Sequence, residues 1–223
     1  MKYYAIIVGG GSGSRMESDI PKQFMLLNGK PVVMHTLEAF YHSELKPEII
    51  LVLNVDYYAY WEKLCHDHQF TIPHSLVKAG AQRFSSVKNG LKVIKGNSIV
   101  AIHDAVRPLV SNNLITRSFK HAEVYGNAIA TIKSTDSIRQ KNQNGSIPLN
   151  REDIFLVQTP QTFTSEIIKK AYKQPFRIEF TDDASVVEKN GTSVELINGE
   201  PENIKITFPQ DILLAQIYLS EKS

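Results

Sequence analysis

The stretch from Tyr3 to Met25, YYAIIVGGGSGSRMESDIPKQFM, decides how the rest of the chain is read. A short apolar run, Tyr3 to Val8, has the length and composition of a buried first strand. It stops at Gly9-Gly10-Gly11, continues as Ser12-Gly13-Ser14, and reaches Arg15 and then Pro21-Lys22-Gln23. Backbone without Cβ atoms can wrap closely around an oxyanion and aim several N–H groups at it. A strand that ends in such a loop, with the fixed cations Arg15 and Lys22 beside it, suits a nucleoside triphosphate. The familiar glycine patterns do not fit. A Walker A loop needs a Lys-Ser or Lys-Thr that is missing here. A dinucleotide fingerprint needs a glycine where Ser14 or Met16 stands. Taken alone, a structural turn would explain the glycines equally well.

Composition narrows the class. A chain of 223 residues, 42% apolar and 22% charged, can bury one large core, and nothing requires a second domain. A formal net charge of +2 is too small for bulk attraction to nucleic acid or an anionic membrane, so any anion site must be local. The single cysteine, Cys65, excludes an internal disulfide and reads as a half-buried helix residue in a reducing compartment. The sequence shows no basic segment leading into an apolar signal core, and no apolar run of membrane-spanning length. It reads as a cytoplasmic protein.

Along the chain, strand and helix patterns alternate. Val33, Leu37 and Phe40 fall at helical spacing after the turn Asn28-Gly29-Lys30-Pro31, with Pro31 suited to a first helical turn. Residues 48–55 and 73–78 read as strands, with a helix over 57–68 between them. A helix over 83–94 leads to a strand over 98–103, and a helix over 113–125 to a strand over 127–133. This repetition predicts an α/β fold: a mostly parallel sheet with helices on both faces. Ligands of such sheets sit at the carboxyl ends of the strands, so the Gly9 loop and Asp104 should converge. Residues 134–153 break the pattern. Asn142-Gln143-Asn144-Gly145 carries an Asn-Gly hairpin signal within a polar segment, which predicts a protruding β-hairpin arm suited to a dimer contact. Beyond it, 155–158 reads as a strand, 165–172 and the segment ending at 189 as helices, 193–198 as a strand, and 211–219 as a last helix started by Pro209. One domain, 1–223, with an arm at 134–153 is the economical organisation.

Several polar clusters fall at these predicted ends. Gly80-x-x-Arg83-x-x-Ser86 opens a helix with a cation and a hydroxyl, suiting either an anion or ribose contact or ordinary capping. Asp104 and Arg107, in HDAVRP, suit either a metal or hydroxyl contact beside a phosphate clamp, or a buried pair fixing a loop. Thr159 in QTPQ and Lys205 in NIKIT add a hydroxyl and an amine. Asp182-Asp183 suits a metal or, more commonly, a helix cap. His66 and His68 lack the i,i+4 spacing of a metal pair, and no Cys or His cluster has zinc spacing. There is no nucleophile elbow and no basic stripe, so a hydrolase triad and an RNA platform both lack support.

The set GGGSGSRM, PKQF, GAQRFSSV, HDAVRP, QTPQTF, TDDA and NIKIT, in this order, resembles the cytidylyltransferases acting on 2-C-methyl-D-erythritol 4-phosphate. The resemblance implies a Rossmann-like α/β fold with a mostly parallel mixed sheet and helices on both faces, a homodimer whose arms reach the partner's site, Mg²⁺ as cofactor, and CTP and a polyol phosphate as substrates. It also implies roles. Arg15, Lys22, Arg151 and Lys205 would be catalytic. Gly9, Gly10, Gly11, Gly13, Gly80, Ala81, Arg83, Ser86 and Asp104 would join Arg15 and Lys22 in binding the nucleotide. Asp104, Arg107, Ser137, Arg151, Thr159 and Lys205 would meet the acceptor, and the metal ligands are unassigned. Ala81 replaces an acidic residue usual in relatives, so any contact there is by backbone. Ser137 replaces a threonine and keeps the hydroxyl. A sister enzyme acting on ribitol 5-phosphate shares most of these motifs. Among other classes, a non-catalytic nucleotide-binding protein would be expected to lack Arg15 or Lys22, and a dinucleotide oxidoreductase fails on glycine spacing.

Overall fold

Buried residues alternate sides along the central strands, and this alternation builds a core on each face of one sheet. The computed structural model describes residues 1–11, 20–143 and 145–221. Ser12 to Asp19 therefore lie outside the described residues, and with them Gly13 and Arg15.

The first half runs β1 (Lys2–Val8), β2 (Leu26–Leu27), β3 (Lys30–Pro31), α1 (Val32–Tyr41), β4 (Glu48–Leu53), α2 (Tyr58–Asp67) and β5 (Ser75–Lys78). It continues through α3 (Arg83–Val93), β6 (Ser98–Asp104), α4 (Asn112–Tyr125) and β7 (Asn127–Lys133). After β8 (Ile138–Asn142) and β9 (Gly145–Leu149) come β10 (Phe155–Thr164), α5 (Ser165–Ala171), α6 (Asp183–Lys189), β11 (Leu196–Asn198) and α7 (Pro209–Ser220). The seven-stranded sheet has the order β11-β7-β10-β6-β1-β4-β5. All neighbours are parallel except β10, which runs against both β6 and β7.

Ala5, Ile7, Leu51, Leu53 and Ala101 face α1, α2 and α4 through Leu37, Phe40, Trp61 and Phe119. Tyr4, Ile6, Val52, Val100 and Ile102 face α3, α5 and α6 through Phe84, Val87, Ile168 and Val187. Fully burying each large apolar side chain contributes about 1.5–3 kcal/mol before chain entropy is counted. The α1 and α2 crossovers carry the chain outward from β1 to β4 and β5 on one face. The α3 crossover returns it over the opposite face to β6, on the other side of β1. The carboxyl ends of β1 and β6 therefore flank the point where the windings diverge, the place where open α/β sheets bind ligands.

The predicted elements agree with these to within a few residues, apart from one strand. The expected strand 155–158 is in fact β10, which continues to Thr164 across Pro160. A register shift between Val157 and Gln161 absorbs the proline, whose missing N–H cannot join a ladder. Pro31 sits just before α1, as its N-cap, rather than inside the first turn. The hairpin is present: among the described residues β8 and β9 pair only with each other, and Arg139 to Gln143 and Gly145 to Pro148 are exposed. Asn144 of the turn lies outside the described residues. Cys65 is partly buried on α2, and burial pushes its thiol up to about 11. Among the described residues, no helix is long and apolar enough to cross a membrane.

Candidate active site

β1 and β6 run in register up to Val8 opposite Asp104, so the glycine loop and the HDAVRP turn leave the sheet side by side. The Val8 carbonyl accepts from Ala105 N–H (3.0 Å), and Gly9 N–H donates to the Val52 carbonyl (2.9 Å). Three strand ends are thus stitched together beneath the loop. A Cβ on Gly9 would lie 2.8 Å from Leu53 Cδ2, and one on Gly10 would lie 2.7 Å from Ala79 Cβ. These glycines permit strand ends to pack closely. Among the described residues, a Cβ on Gly11 meets nothing within 4 Å.

A cleft of about 200 Å³ opens above them, lined by Gly9, Gly10, Gly11, Lys22, Gln23, Gly80, Ala81, Arg83, Ser86, Asp104 and Lys205 among others. A second, of about 270 Å³, is lined by Arg83, Asp104, Arg107, Thr159, Asp182 and Lys205 among others. Each alone is smaller than the roughly 300–1,000 Å³ of a typical small-molecule site. Because they share Arg83, Asp104 and Lys205, they form one two-lobed groove with Asp104 at its waist.

Asp104 is surrounded by cations. Lys205 Nζ lies 2.8 Å from Oδ2, Arg107 Nε 3.6 Å from Oδ2, and Arg83 Nε 3.7 Å from Oδ1. Burial alone would raise its pKa, but Arg83, Lys205 and Arg107 together outweigh it and hold the carboxyl well below the usual range. Burial of Arg83 opposes its charge, yet Asp183 and Asp104 overcome that and raise its pKa. For Arg107 burial wins and the shift is downward. Of the two alternatives read for Asp104 and Arg107, the buried pair that fixes a loop is present, and both residues also line the groove.

The turn around Asp104 is held by a chain of hydrogen bonds with defined direction. His103 Nε2 lies 3.1 Å from the Arg107 carbonyl, which can only accept, so Nε2 carries the proton. His103 Nδ1 is then the acceptor for the Thr159 hydroxyl (3.0 Å), and that hydroxyl accepts from Asp104 N–H (3.1 Å). Burial pushes fully buried His103 down to about 4, keeping it neutral in this chain. Arg107 Nη1 donates to the Asn203 carbonyl (2.7 Å), which ties the turn to the segment carrying Lys205.

Gly9, Gly10, Gly11, Lys22, Gly80, Ala81, Arg83, Ser86, Asp104, Arg107, Thr159 and Lys205 are therefore brought together, while Gly13 and Arg15 lie outside the described residues. Two of them are less free than their sequence context suggested. Thr159 gives its proton to His103, and the Arg83 guanidinium grips buried Asp183 at 2.6 Å. Ser86 Oγ accepts from Gly80 N–H (3.0 Å) and donates to the Gln82 carbonyl, which folds the 80–86 turn. Ser137 and Arg151 are exposed at the base of the arm and line neither cleft. Asp182 caps α6 through Ser185 N–H (2.9 Å), leaving the metal alternative for that pair unneeded.

Residues of the site that the sequence reading did not single out are Gln23, His103 and Gln161. Gln161 binds Asp182 (2.9 Å) and Ala184 N–H (2.8 Å), seating α6 beside the groove. Their available signal was position: each lies inside a motif already chosen for its neighbours.

Residues 3–221 match the family model described as IspD, 2-C-methyl-D-erythritol 4-phosphate cytidylyltransferase. The chain belongs to that family. Among its members, the protein so named from Bacteroides fragilis is 47% identical, over 96% of this chain and 98% of its own. The one from Phocaeicola vulgatus is 45% identical over 98% of this chain and 100% of its own. The crystal structure of 4-diphosphocytidyl-2C-methyl-D-erythritol synthase from Anaerococcus prevotii superposes with a TM-score of 0.84 at 28% identity, covering 98% of this chain and 96% of that one. The family's fold is thus the mixed, mostly parallel α/β sheet described above.

Proposed function

We propose that this chain transfers the cytidylyl unit of CTP to 2-C-methyl-D-erythritol 4-phosphate, giving 4-diphosphocytidyl-2-C-methyl-D-erythritol and pyrophosphate in non-mevalonate isoprenoid synthesis. The supporting observation is the two-lobed groove, with a glycine-lined lobe for a triphosphate, a second lobe beside Arg107, and Lys205 in both. A phosphate monoester oxygen of the acceptor attacks the α-phosphorus in line, the new P–O bond forms, and the α–β bridging bond breaks to release pyrophosphate. The nucleophile is already an anion, so no general base is required. The barrier lies in bringing two anions together and in charge developing on the α-phosphate. Preorganised cations address both.

In this reading Lys22 and Arg15 neutralise the triphosphate while Gly9 to Gly13 let it approach. Gly80, Ala81, Arg83 and Ser86 form the turn under the nucleoside. Lys205, beside Asp104, orients the reacting phosphate, and Arg107 and Thr159 shape the acceptor lobe. A divalent cation, Mg²⁺ in the family resemblance, would supply further charge neutralisation when bound. Among the described residues no group of three His, Cys, Asp or Glu could hold one. Among the described residues, Asp104, itself held by three cations, is the only carboxylate lining the glycine lobe. Such an ion fits this chain only if phosphate oxygens supply most of its ligands, so it would arrive with the nucleotide.

The chain acts as one nucleotidyltransferase domain with a dimerisation arm over 134–153. Phe155, Leu156 and Val157, at the foot of the arm, are 39%, 48% and 45% exposed, and Val157 also borders the acceptor lobe. A second copy seated on this strip would lie beside that lobe and could present its own Ser137 and Arg151 to it. Pyrophosphate release, measured with CTP, UTP, ATP and GTP against methylerythritol phosphate and ribitol 5-phosphate, tests the assignment. Turnover confined to CTP and methylerythritol phosphate is expected. Turnover with ribitol 5-phosphate alone would transfer the chain to the sister activity, and none with any pair would refute catalysis.

A further inference from the structure

The side chain of Gln23 is buried, 2% exposed, directly beneath the glycine loop. Its Nε2 donates to the Gly9 carbonyl at 2.8 Å and lies 3.5 Å from the Gly11 carbonyl. Gly9 is therefore fixed at both polar groups, since its N–H is held by Val52. A trans peptide is planar, with C=O and N–H on opposite sides. Pulling the Gly9 oxygen down onto Gln23 turns the Gly10 N–H away from it. Gly10 lines the triphosphate lobe, and among the described residues no acceptor takes its N–H.

Without that anchor the peptide would be hard to hold. Glycine on both sides removes the usual steric limits on φ and ψ, so the Gly9–Gly10 unit could rotate and present its carbonyl oxygen to the ligand. An oxygen facing phosphate repels where an N–H attracts. The anchor itself is rigid. Phe24 N–H closes the turn on the Pro21 carbonyl at 2.8 Å, and the Phe24 ring packs against Tyr57, Tyr60 and Trp61 at centroid distances of 5.7, 5.3 and 6.3 Å. Lys22 belongs to the same turn.

We propose that Gln23 is a positioning residue for nucleotide binding: it locks the Gly9–Gly10 peptide with its N–H toward the triphosphate and ties that amide to the turn carrying Lys22. The inference rests on CTP occupying the glycine lobe, as argued above. Its test compares wild type with Gln23→Met, which keeps length but has no donor, and Gln23→Glu, which keeps shape but presents acceptors to two carbonyls. Kd for CTP by calorimetry, KM for both substrates, kcat and Tm are measured, and the Gly10 amide is followed by NMR with [¹⁵N]glycine labelling. Losing one hydrogen bond of this type predicts a rise of about tenfold in Kd and KM for CTP in Gln23→Met. Gln23→Glu should weaken CTP further, while the acceptor KM stays within about twofold. Addition of CTP should shift the Gly10 amide resonance strongly in wild type and weakly in either variant. Wild-type affinity for CTP in both variants would overturn the role of Gln23 alone. A wild-type protein that does not bind CTP would overturn the functional reading with it. A fall in Tm of both variants with equal loss of both substrates would reduce Gln23 to a packing residue and overturn the proposal.

Discussion

Asp104→Asn tests the electrostatics at the waist of the groove. The substitution keeps shape, removes one negative charge, and turns an amide donor toward cations at 2.8, 3.6 and 3.7 Å. The three do not suffer equally. Arg83 keeps Asp183 at 2.6 Å, and Lys205, whose side chain is 39% exposed, can regain water. Arg107, at 11% exposure, loses its only ion-pair partner among the described residues. Removing one partner of a buried pair costs about 3–5 kcal/mol. With two of the cations relieved, we expect the low end, about 3 kcal/mol, which for a chain of this size lowers Tm by about 6–12 °C. The pH dependence has a definite sign. Asp104 is held below its unfolded value, so its contribution is complete above the ordinary carboxylate pKa of about 3.9 and is lost as pH falls toward the lower folded value. Scanning calorimetry of both proteins should give a constant Tm gap at neutral and weakly acidic pH that narrows below about pH 4. A variant within about 2 °C of wild type at pH 7, or a gap unaffected by acid, would refute the reasoning.

Lys22→Ala and Arg15→Ala should each lower kcat about 10²-fold or more with Tm nearly unchanged, because removing one preorganised donor costs about 2.7–4 kcal/mol of barrier. Steady-state kinetics with near-normal turnover in either would remove it from the mechanism. Arg151→Ala should raise KM for methylerythritol phosphate while leaving CTP binding alone, and unchanged acceptor kinetics would detach the arm from the site. Burial holds His103 neutral, with its pKa down at about 4, so its contribution to stability is complete above the unfolded value of about 6.5 and is lost as pH falls toward the folded one. The denaturation midpoint of His103→Asn should therefore vary less than wild type over that window. An unaltered pH slope would contradict the single-tautomer chain through Thr159 and Arg107.

The sheet was legible because local patterns agree with the global fold. Runs such as residues 48–53 and 98–103 have little choice but to be buried strands, and the intervening helices show their apolar faces at 3.6-residue spacing. The hairpin followed from one Asn-Gly pair in a polar segment. Pro160 obscured the second half of β10, since a proline normally marks the end of a ladder and sequence does not announce the bulge that accommodates it. The groove residues were legible as positions at strand ends. What their side chains do was less so. Arg83 reads as a free cation at a helix start, but its partner Asp183 lies far along the chain. Thr159 reads as a hydroxyl at an element end, but β10 lays it against His103. Gln23 was not singled out beside Lys22, because its side chain holds a backbone carbonyl, and no residue pattern encodes that.

A crystal structure with bound CTP tests the central claim most directly. The account predicts the triphosphate in the lobe above Gly9, Gly10 and Gly11, with Lys22 and Arg15 within hydrogen-bond distance of its oxygens and Lys205 facing the α-phosphate. A nucleotide bound with its phosphates remote from both Lys22 and the glycines would contradict it.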